Sequence, residues 1–154
     1  MKAMMEQVLP APSTLLGEWV RERLHQEPIA WLTTVDASGV AQPNPVWFLW
    51  DGESLLIYNI ATARRLVHIR QRPQVTFYLD THGVAGDAVV LIGVVEVAPD
   101  EPPADQHPMF MDKYRDRMDM DPKGWAQYFP VVLRIRPTRF RGYHEAGPGR
   151  PGVT

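Results

Sequence analysis

Residues 29–58 read Ile29-Ala30-Trp31-Leu32-Thr33-Thr34-Val35-Asp36-Ala37-Ser38-Gly39-Val40-Ala41-Gln42-Pro43-Asn44-Pro45-Val46-Trp47-Phe48-Leu49-Trp50-Asp51-Gly52-Glu53-Ser54-Leu55-Leu56-Ile57-Tyr58. The β-branched and aromatic run at 29–35 predicts a strand, Asp36 to Gly39 a turn, and 40–50 a second strand. Asp51-Gly52 then turns the chain into a third strand at 54–58, completing an antiparallel meander. The second strand does not alternate: Val46, Phe48 and Trp50 fall on one face, Trp47 and Leu49 on the other. Both faces need cover, and a barrel interior covers only one. The other must meet a helix, a partner subunit or a bound planar ligand. Pro43 and Pro45 remove ladder donors and leave backbone at the start of that strand free to address a ligand.

The chain continues Tyr58-Asn59-Ile60-Ala61-Thr62-Ala63-Arg64-Arg65-Leu66-Val67-His68-Ile69-Arg70-Gln71-Arg72-Pro73. A strand end here feeds a short Arg-bearing helix that halts before proline. Thr62 is the expected N-cap, which aims the free N–H groups of the first turn at the place where Arg64 and Arg65 bring positive charge. Such a socket suits one phosphate. Ala63, Leu66 and Val67, with Ile69 at the edge, make an inward stripe, while Arg65, His68 and Arg72 follow i, i+3, i+7 spacing on another side. The bland alternative is a solvated basic face. An aromatic strand beside a phosphate socket is the pairing a flavin-like cofactor requires, a slot for the ring and an anchor for the tail. For Trp47 and Trp50 the alternative is a core strand with a homodimer interface.

Upstream, 13–26 has helical period, with Leu15, Leu16, Trp19, Val20 and Leu24 along one side, Ser13 as expected cap and Pro28 as stop. Downstream, 74–80 and 88–97 read as strands around a Gly-containing loop at 82–87. A Pro- and acid-rich connection at 99–103 leads to a polar helix at 109–117 and an irregular, flap-like stretch at 119–124. Strands at 131–136 and 139–144 are separated by Pro137-Thr138. The reading is one mainly β domain with a few helices over 13–144, between an N-terminal arm at 1–12 and a Gly/Pro-rich C-terminal tail at 145–154.

A chain of 154 residues suits one such domain. Sixteen basic and 18 acidic side chains leave a net charge of -2, so no global field recruits nucleic acid or an anionic membrane. Cysteine is absent, which excludes disulfides, thiolate metal sites and a Cys nucleophile. No run approaches the roughly 20 apolar residues of a membrane span, and the N-terminal apolar segment is too short for a signal peptide. A soluble cytoplasmic protein is expected. His25, His68, His82, His107 and His144 are scattered without metal-ligand spacing, so no metal site is expected. Neither a nucleophile elbow nor a paired acid and base stands out, and hydrolysis is poorly supported.

In this order and spacing the chain resembles the pyridoxamine 5'-phosphate oxidase-like split-barrel flavoproteins, especially their branch of deazaflavin (F420)-dependent reductases. The likeness runs from about Pro28 to Tyr143. It is carried by residues 29–39, by Pro45-Val46-Trp47-Phe48, by Ala63 to Ile69 ahead of Pro73, by Val90-Leu91-Ile92-Gly93-Val94-Val95-Glu96-Val97 and by Arg136-Pro137-Thr138-Arg139-Phe140-Arg141-Gly142-Tyr143. The resemblance implies a six- to seven-stranded antiparallel split β-barrel with Greek-key connections, a homodimer, and FMN or F420 at the subunit interface. It also implies hydride transfer between that cofactor and a small conjugated substrate, with a non-catalytic flavin or haem binding or storage protein of the same fold as the alternative. Arg65 falls where the family carries a Lys or Arg on the cofactor phosphate, with Thr62 and Arg64 assisting. Asn44, Pro45, Val46 and Trp47 would line the ring, and Tyr58 and Asn59 sit at the strand end nearest the tail. His68 shares the binding face, a hydrogen bond closing the helix being its alternative role. The basic residues that true pyridoxamine phosphate oxidases place on their substrate phosphate have no match here. The longer acidic tail of the deazaflavin would need a further basic groove, for which Arg21, Arg23, Arg115, Arg117, Arg134 and Arg141 are candidates.

Overall fold

Thr14, not Ser13, opens the first helix, α1 (Leu15–Gln26): its hydroxyl accepts the Gly17 N–H at 3.0 Å. Val20 and Leu24 are buried and Leu16 and Trp19 pack against the core, whereas Leu15 is exposed. These positions belong to a computed structural model that describes residues 8–83 and 85–144; the 145–154 tail and residues 1–7 of the arm lie outside the described residues. After α1 come β1 (Ala30–Val35), β2 (Ala41–Val46), β3 (Leu49–Trp50), β4 (Leu55–Asn59), α2 (Arg65–Gln71), β5 (Gln74–Leu79) and β6 (Ala88–Val97). A single-turn helix, Ala104–Gln106, precedes α3 (Pro108–Tyr114), and another, Arg115–Arg117, follows it; α4 (Pro122–Tyr128) and β7 (Val131–Tyr143) complete the described chain.

The strands form one antiparallel sheet in the order β2-β1-β5-β6-β7-β4-β3. The two edge strands, β2 and β3, are consecutive in sequence with only Trp47 and Phe48 between them. Three residue steps reach at most about 11 Å. In a flat sheet the edges would stand six strand spacings, roughly 29 Å, apart. The sheet therefore curls on itself into an open barrel.

This corrects the three-stranded meander: β2 pairs with β1, and β3 pairs with β4 at the opposite edge. The 40–50 segment is two strands because α3 satisfies the backbone where the ladder breaks. Phe48 N–H donates to the Tyr114 hydroxyl at 2.9 Å, and that hydroxyl's one proton reaches Pro28 O at 2.8 Å or Phe48 O at 2.9 Å. Lys113 Nζ donates to Phe48 O at 3.0 Å. The break thus leaves no orphaned peptide group at Phe48. The two-faced character of the segment holds through the break. Val46, Phe48 and Trp50 enter the barrel core, while Leu49 and Trp47 join a second cluster under α3 and α4 with Phe110, Tyr114 and Trp125. Helices of the same chain supply the second cover.

Strand β4 is buried on both sides for the same reason, Leu55 and Ile57 pointing inward and Leu56 and Tyr58 toward the helices. The irregular reading of 119–124 is corrected in part: Asp121 caps α4 by accepting the Gly124 N–H, Pro122 occupies its first turn, and the helix runs on to Tyr128. The expected break at Pro137-Thr138 is absorbed instead by a bulge, with Ile92 paired to Arg139 and Gly93 to Pro137 in one continuous β7. A Cβ on Gly93 would lie 2.6 Å from Arg136 O, so the crossing tolerates only glycine. On the outer face of β2, β1, β5 and β6 the strand register sets Pro45, Trp31, Tyr78 and Val90 in one row, with Pro45 and Trp31 exposed.

Candidate functional site

A cleft of about 620 Å³ opens between the end of β2, the end of β4, the start of α2 and the segment from Arg117 through α4. Of the residues expected at a cofactor, Pro45, Val46, Trp47, Tyr58 and Arg65 line it. Its other wall is Arg117, which the sequence reading offered only as one candidate for a deazaflavin tail, with Asp119, Met120, Trp125, Tyr128 and Phe129, none of which it placed at the site. Two signals for them stand in the sequence. Asp121-Pro122 is a capping pair at a helix start, and Trp125, Tyr128 and Phe129 recur at helical spacing.

Arg65 owes its position to Asn59. Its Nε donates to Asn59 Oδ1 at 2.6 Å, and the Asn59 amide donates to Ile57 O at 2.9 Å and Val131 O at 3.1 Å. Asn59 is wholly buried, so it acts on the cleft only through Arg65. Among the described residues the rest of the guanidinium has no hydrogen-bond partner and no carboxylate lies within ion-pair distance of it. Burial lowers the Arg65 pKa from its ordinary value. A partly desolvated, uncompensated cation therefore faces the cleft.

The remaining expected residues stand apart from the cleft wall. Thr62 is exposed in a turn and does not cap α2: Ala63 N–H is taken by Ile60 O, and the helix starts from Arg64, whose side chain makes no capping bond. Arg64 itself is exposed. Asn44 is exposed on β2 opposite Leu32. His68 Nδ1 lies 2.9 Å from the hydroxyl of Thr34, tying α2 to β1. Within α2, Ile69 is buried and Leu66 packs on the core, but Val67 is 62% exposed and leaves the inward stripe.

Aromatic packing shapes the floor. Trp47 lies parallel to Tyr114 (4.5 Å, 6°) and to Trp125 (5.3 Å, 9°), and Trp125 continues to Phe129 (4.3 Å, 25°). The Tyr58 hydroxyl donates to Pro102 O at 2.8 Å, and burial, reinforced by the charges of Glu101 and Asp105, pushes its pKa up. It stays protonated and fixed. On the far side of α4 a second cavity of about 620 Å³ is bounded by Val97, Glu101, Asp105, Lys123, Ala126 and Val132, so α4 separates two voids. Of the arginines considered for an acidic tail, Arg21 bonds Pro10 O and Gly17 O, Arg23 pairs with Glu27, and Arg134 pairs with Glu101. Arg115 and Arg141 are exposed and outside the cleft wall, and Arg117 alone lines it.

An open antiparallel barrel with an aromatic, cation-bearing cleft at its seam has the form of a small-molecule site. The chain belongs to the pyridoxamine 5'-phosphate oxidase family, whose profile matches residues 16–144. Among solved structures it is similar to an F420 reductase, 28% identical with a TM-score of 0.63 over 78% of this chain and 94% of that one. A conserved hypothetical protein from Mycobacterium tuberculosis matches at 21% identity and a TM-score of 0.71 over 95% of each chain. HutZ, the haem storage protein from Vibrio cholerae, shares the fold at 16% identity and a TM-score of 0.61 over 81% of this chain and 92% of that one. No curated protein matches the chain. Among the described residues no helix is long and apolar enough to cross a membrane.

Proposed function

We propose that this chain is an oxidoreductase that binds FMN or the deazaflavin F420 in the Arg65 cleft and passes hydride between that cofactor and a small conjugated substrate. The observation that carries the reading is the Arg65 guanidinium, half-buried, held by Asn59 and lacking a carboxylate partner among the described residues, beside an aromatic wall. A phosphate supplies the missing counter-charge, and a guanidinium can take it bidentately. Val46, Trp47 and Tyr58 offer the apolar contact a heterocycle needs, and the cleft volume lies in the range of small-molecule sites. When bound, such a cofactor supplies hydride transfer at its central ring. The chain's part is to orient it, keep water from one side and hold its charge. Among the described residues no histidine lines the cleft, which disfavours haem held by an imidazole.

The assembly in this reading is a homodimer. Trp31, exposed, and Tyr78 and Val90, partly buried, form an apolar row on the outer face of the sheet, and Pro45 at the end of that row also lines the cleft. A second copy over this face would border the site.

Visible absorption titrations of the purified protein with FMN and with F420 test the cofactor. Arg65→Ala should weaken the binding cofactor by about 10- to 100-fold, the loss of a charge-assisted hydrogen bond worth about 1.5–3 kcal/mol. Undiminished affinity removes Arg65 from the site. Binding without reduction of any conjugated acceptor would favour the storage alternative over turnover.

A further inference from the structure

The rings of the cleft floor stand in one column. Trp47 lies parallel to Tyr114 at 4.5 Å and to Trp125 at 5.3 Å, Trp125 stacks on Phe129 at 4.3 Å, and Phe129 meets Tyr128 edge-on at 5.1 Å. Its two ends differ: Tyr114 is wholly buried and Tyr128 is 61% exposed. Packing accounts for Tyr114, Trp47, Trp125 and Phe129, which fill the cluster under α3 and α4, but Tyr128 belongs to neither cluster. Tyr128 follows Trp125 by three residues on α4, and both line the cleft with Trp47. Stacked π systems in contact exchange electrons fast, because orbital overlap falls steeply with the gap between rings, and tryptophan and tyrosine are the members of this column that give one up. A tyrosine ends such a chain only where its phenolic proton can leave. Tyr114, and Tyr58 at 6.3 Å from Trp125, both donate that proton to backbone carbonyls, and burial raises the pKa of each. Tyr128 has no hydrogen-bond partner among the described residues and meets water.

We propose that Trp47, Trp125 and Tyr128 form a hole-transfer path, which carries one-electron oxidising equivalents from the cleft to the protein surface and spares the rings of the cleft. A one-electron oxidant, an inorganic radical or a photoexcited flavin, takes an electron from Trp47 and is reduced. Trp125 refills Trp47, and Tyr128 refills Trp125 as its O–H bond breaks and the proton passes to water. A thiol in solution then returns a hydrogen atom to the tyrosyl radical and is itself oxidised. Phe129 is the contact between Trp125 and Tyr128 and is not oxidised. The path goes beyond the cofactor reading, since the column is made by the chain alone.

The test is pulse radiolysis of the whole chain without cofactor, in azide solution, where the azide radical oxidises tryptophan. No flavin enters it, so its outcome is separate from that of the cofactor titrations. Trp31→Phe serves as the background, because it removes the exposed indole that stacks on Tyr78. There, tryptophanyl absorbance should decay at a rate independent of protein concentration while tyrosyl absorbance grows in step. Tyr128→Phe, at an exposed position that leaves the fold intact, should cut the tyrosyl yield at least tenfold, whereas Tyr58→Phe should leave it unchanged. Trp125→Phe, checked by circular dichroism, should slow the transfer at least tenfold. Peptide mass spectrometry after prolonged exposure to the radical should find more oxidised Trp47 and Trp125 in Tyr128→Phe than in its parent. Absence of tyrosyl growth in the background, a yield that Tyr128→Phe leaves unchanged, an equal loss in Tyr58→Phe, or equal damage to the tryptophans with and without Tyr128 overturns the path.

Discussion

Arg65 and Asn59 are joined by a 2.6 Å hydrogen bond from guanidinium Nε to amide Oδ1, and Asn59 is itself pinned to the carbonyls of Ile57 and Val131. The cleft's cation is thereby mounted on the β4–β7 ladder instead of on the short helix that carries it. Asn59→Asp sets a carboxylate against the guanidinium and supplies internally the counter-charge that a phosphate would bring. The expected result is that FMN loses about tenfold in affinity while riboflavin, which has no phosphate, is unchanged. Parallel fluorescence titrations with the two flavins check this; an equal loss for both would mean that the variant had only disturbed the ladder.

Lys113 introduces a pH dependence. Burial holds its ammonium pKa down to about 7 from 10.5, only partly opposed by Glu27, and its Nζ lies 3.7 Å from the Phe48 ring centroid as well as on Phe48 O. The folded state releases this proton near pH 7 while the unfolded chain keeps it, so between those pH values the unfolded state binds more protons and stability rises with pH. Below pH 7 both states are protonated and the cost of burying the charge is fully present. Tyr114, whose pKa is raised by burial, works in the opposite sense only above the ordinary tyrosine value of 10.0. Denaturant midpoints should therefore increase from pH 7 to 9.5, and Lys113→Met should flatten that increase while stabilising the protein at pH 7. A variant with the wild-type slope would assign the effect elsewhere.

Tyr114→Phe addresses the crossing from β2 to β3. The lost hydroxyl accepts the Phe48 N–H in buried surroundings and caps a carbonyl, either the buried Phe48 O or the part-buried Pro28 O. Leaving a buried donor unmet costs about 1–3 kcal/mol, with the ring stack on Trp47 retained. Urea denaturation should show a lower midpoint with an unchanged slope. A neutral result would mean that water replaces the hydroxyl.

How far the sequence disclosed these features depends on the range of the cause. The Asp36 to Gly39 turn is local: the Asp36 carboxylate accepts the Ser38 and Val40 N–H groups, Gly39 adopts φ 82°, and all of it lies within five residues. The two faces of 46–50 follow from strand pleat and were legible. That the same segment changes sheet edge was not, because its determinant, Tyr114, is 66 residues away. Thr62 looked like a cap by type and position, but the preceding Ile60–Ala63 turn takes it out of register. The α4 wall was missed because Asp119, Asp121, Lys123 and Gly124 dilute the apolar pattern, although Trp125 and Phe129 stack one turn apart within it. That Arg65 and Trp47 come together was legible, and both line the cleft; the anchor of Arg65 to Asn59 was not, since nothing in sequence separates an asparagine on a cleft wall from one that holds a residue of that wall.

The outer face of the sheet at Trp31 gives the last prediction. Trp31 is 38% exposed and stacks on Tyr78 at 6.5 Å and 10°, yet belongs to neither hydrophobic cluster. Its removal should cost the fold only a cross-strand pair, about 0.2–1 kcal/mol. If a second copy covers this row, Trp31→Arg buries a charge opposite its own symmetry mate, and the penalty falls on association. Light scattering at micromolar concentration should then give a dimer for wild type and a monomer for the variant, with unchanged far-UV circular dichroism. Pro45 pairs with Trp31 across the strands and lines the cleft, so cofactor affinity should fall in step with dissociation and recover at high protein concentration. A monomeric wild type with full cofactor affinity would place the whole site within one chain.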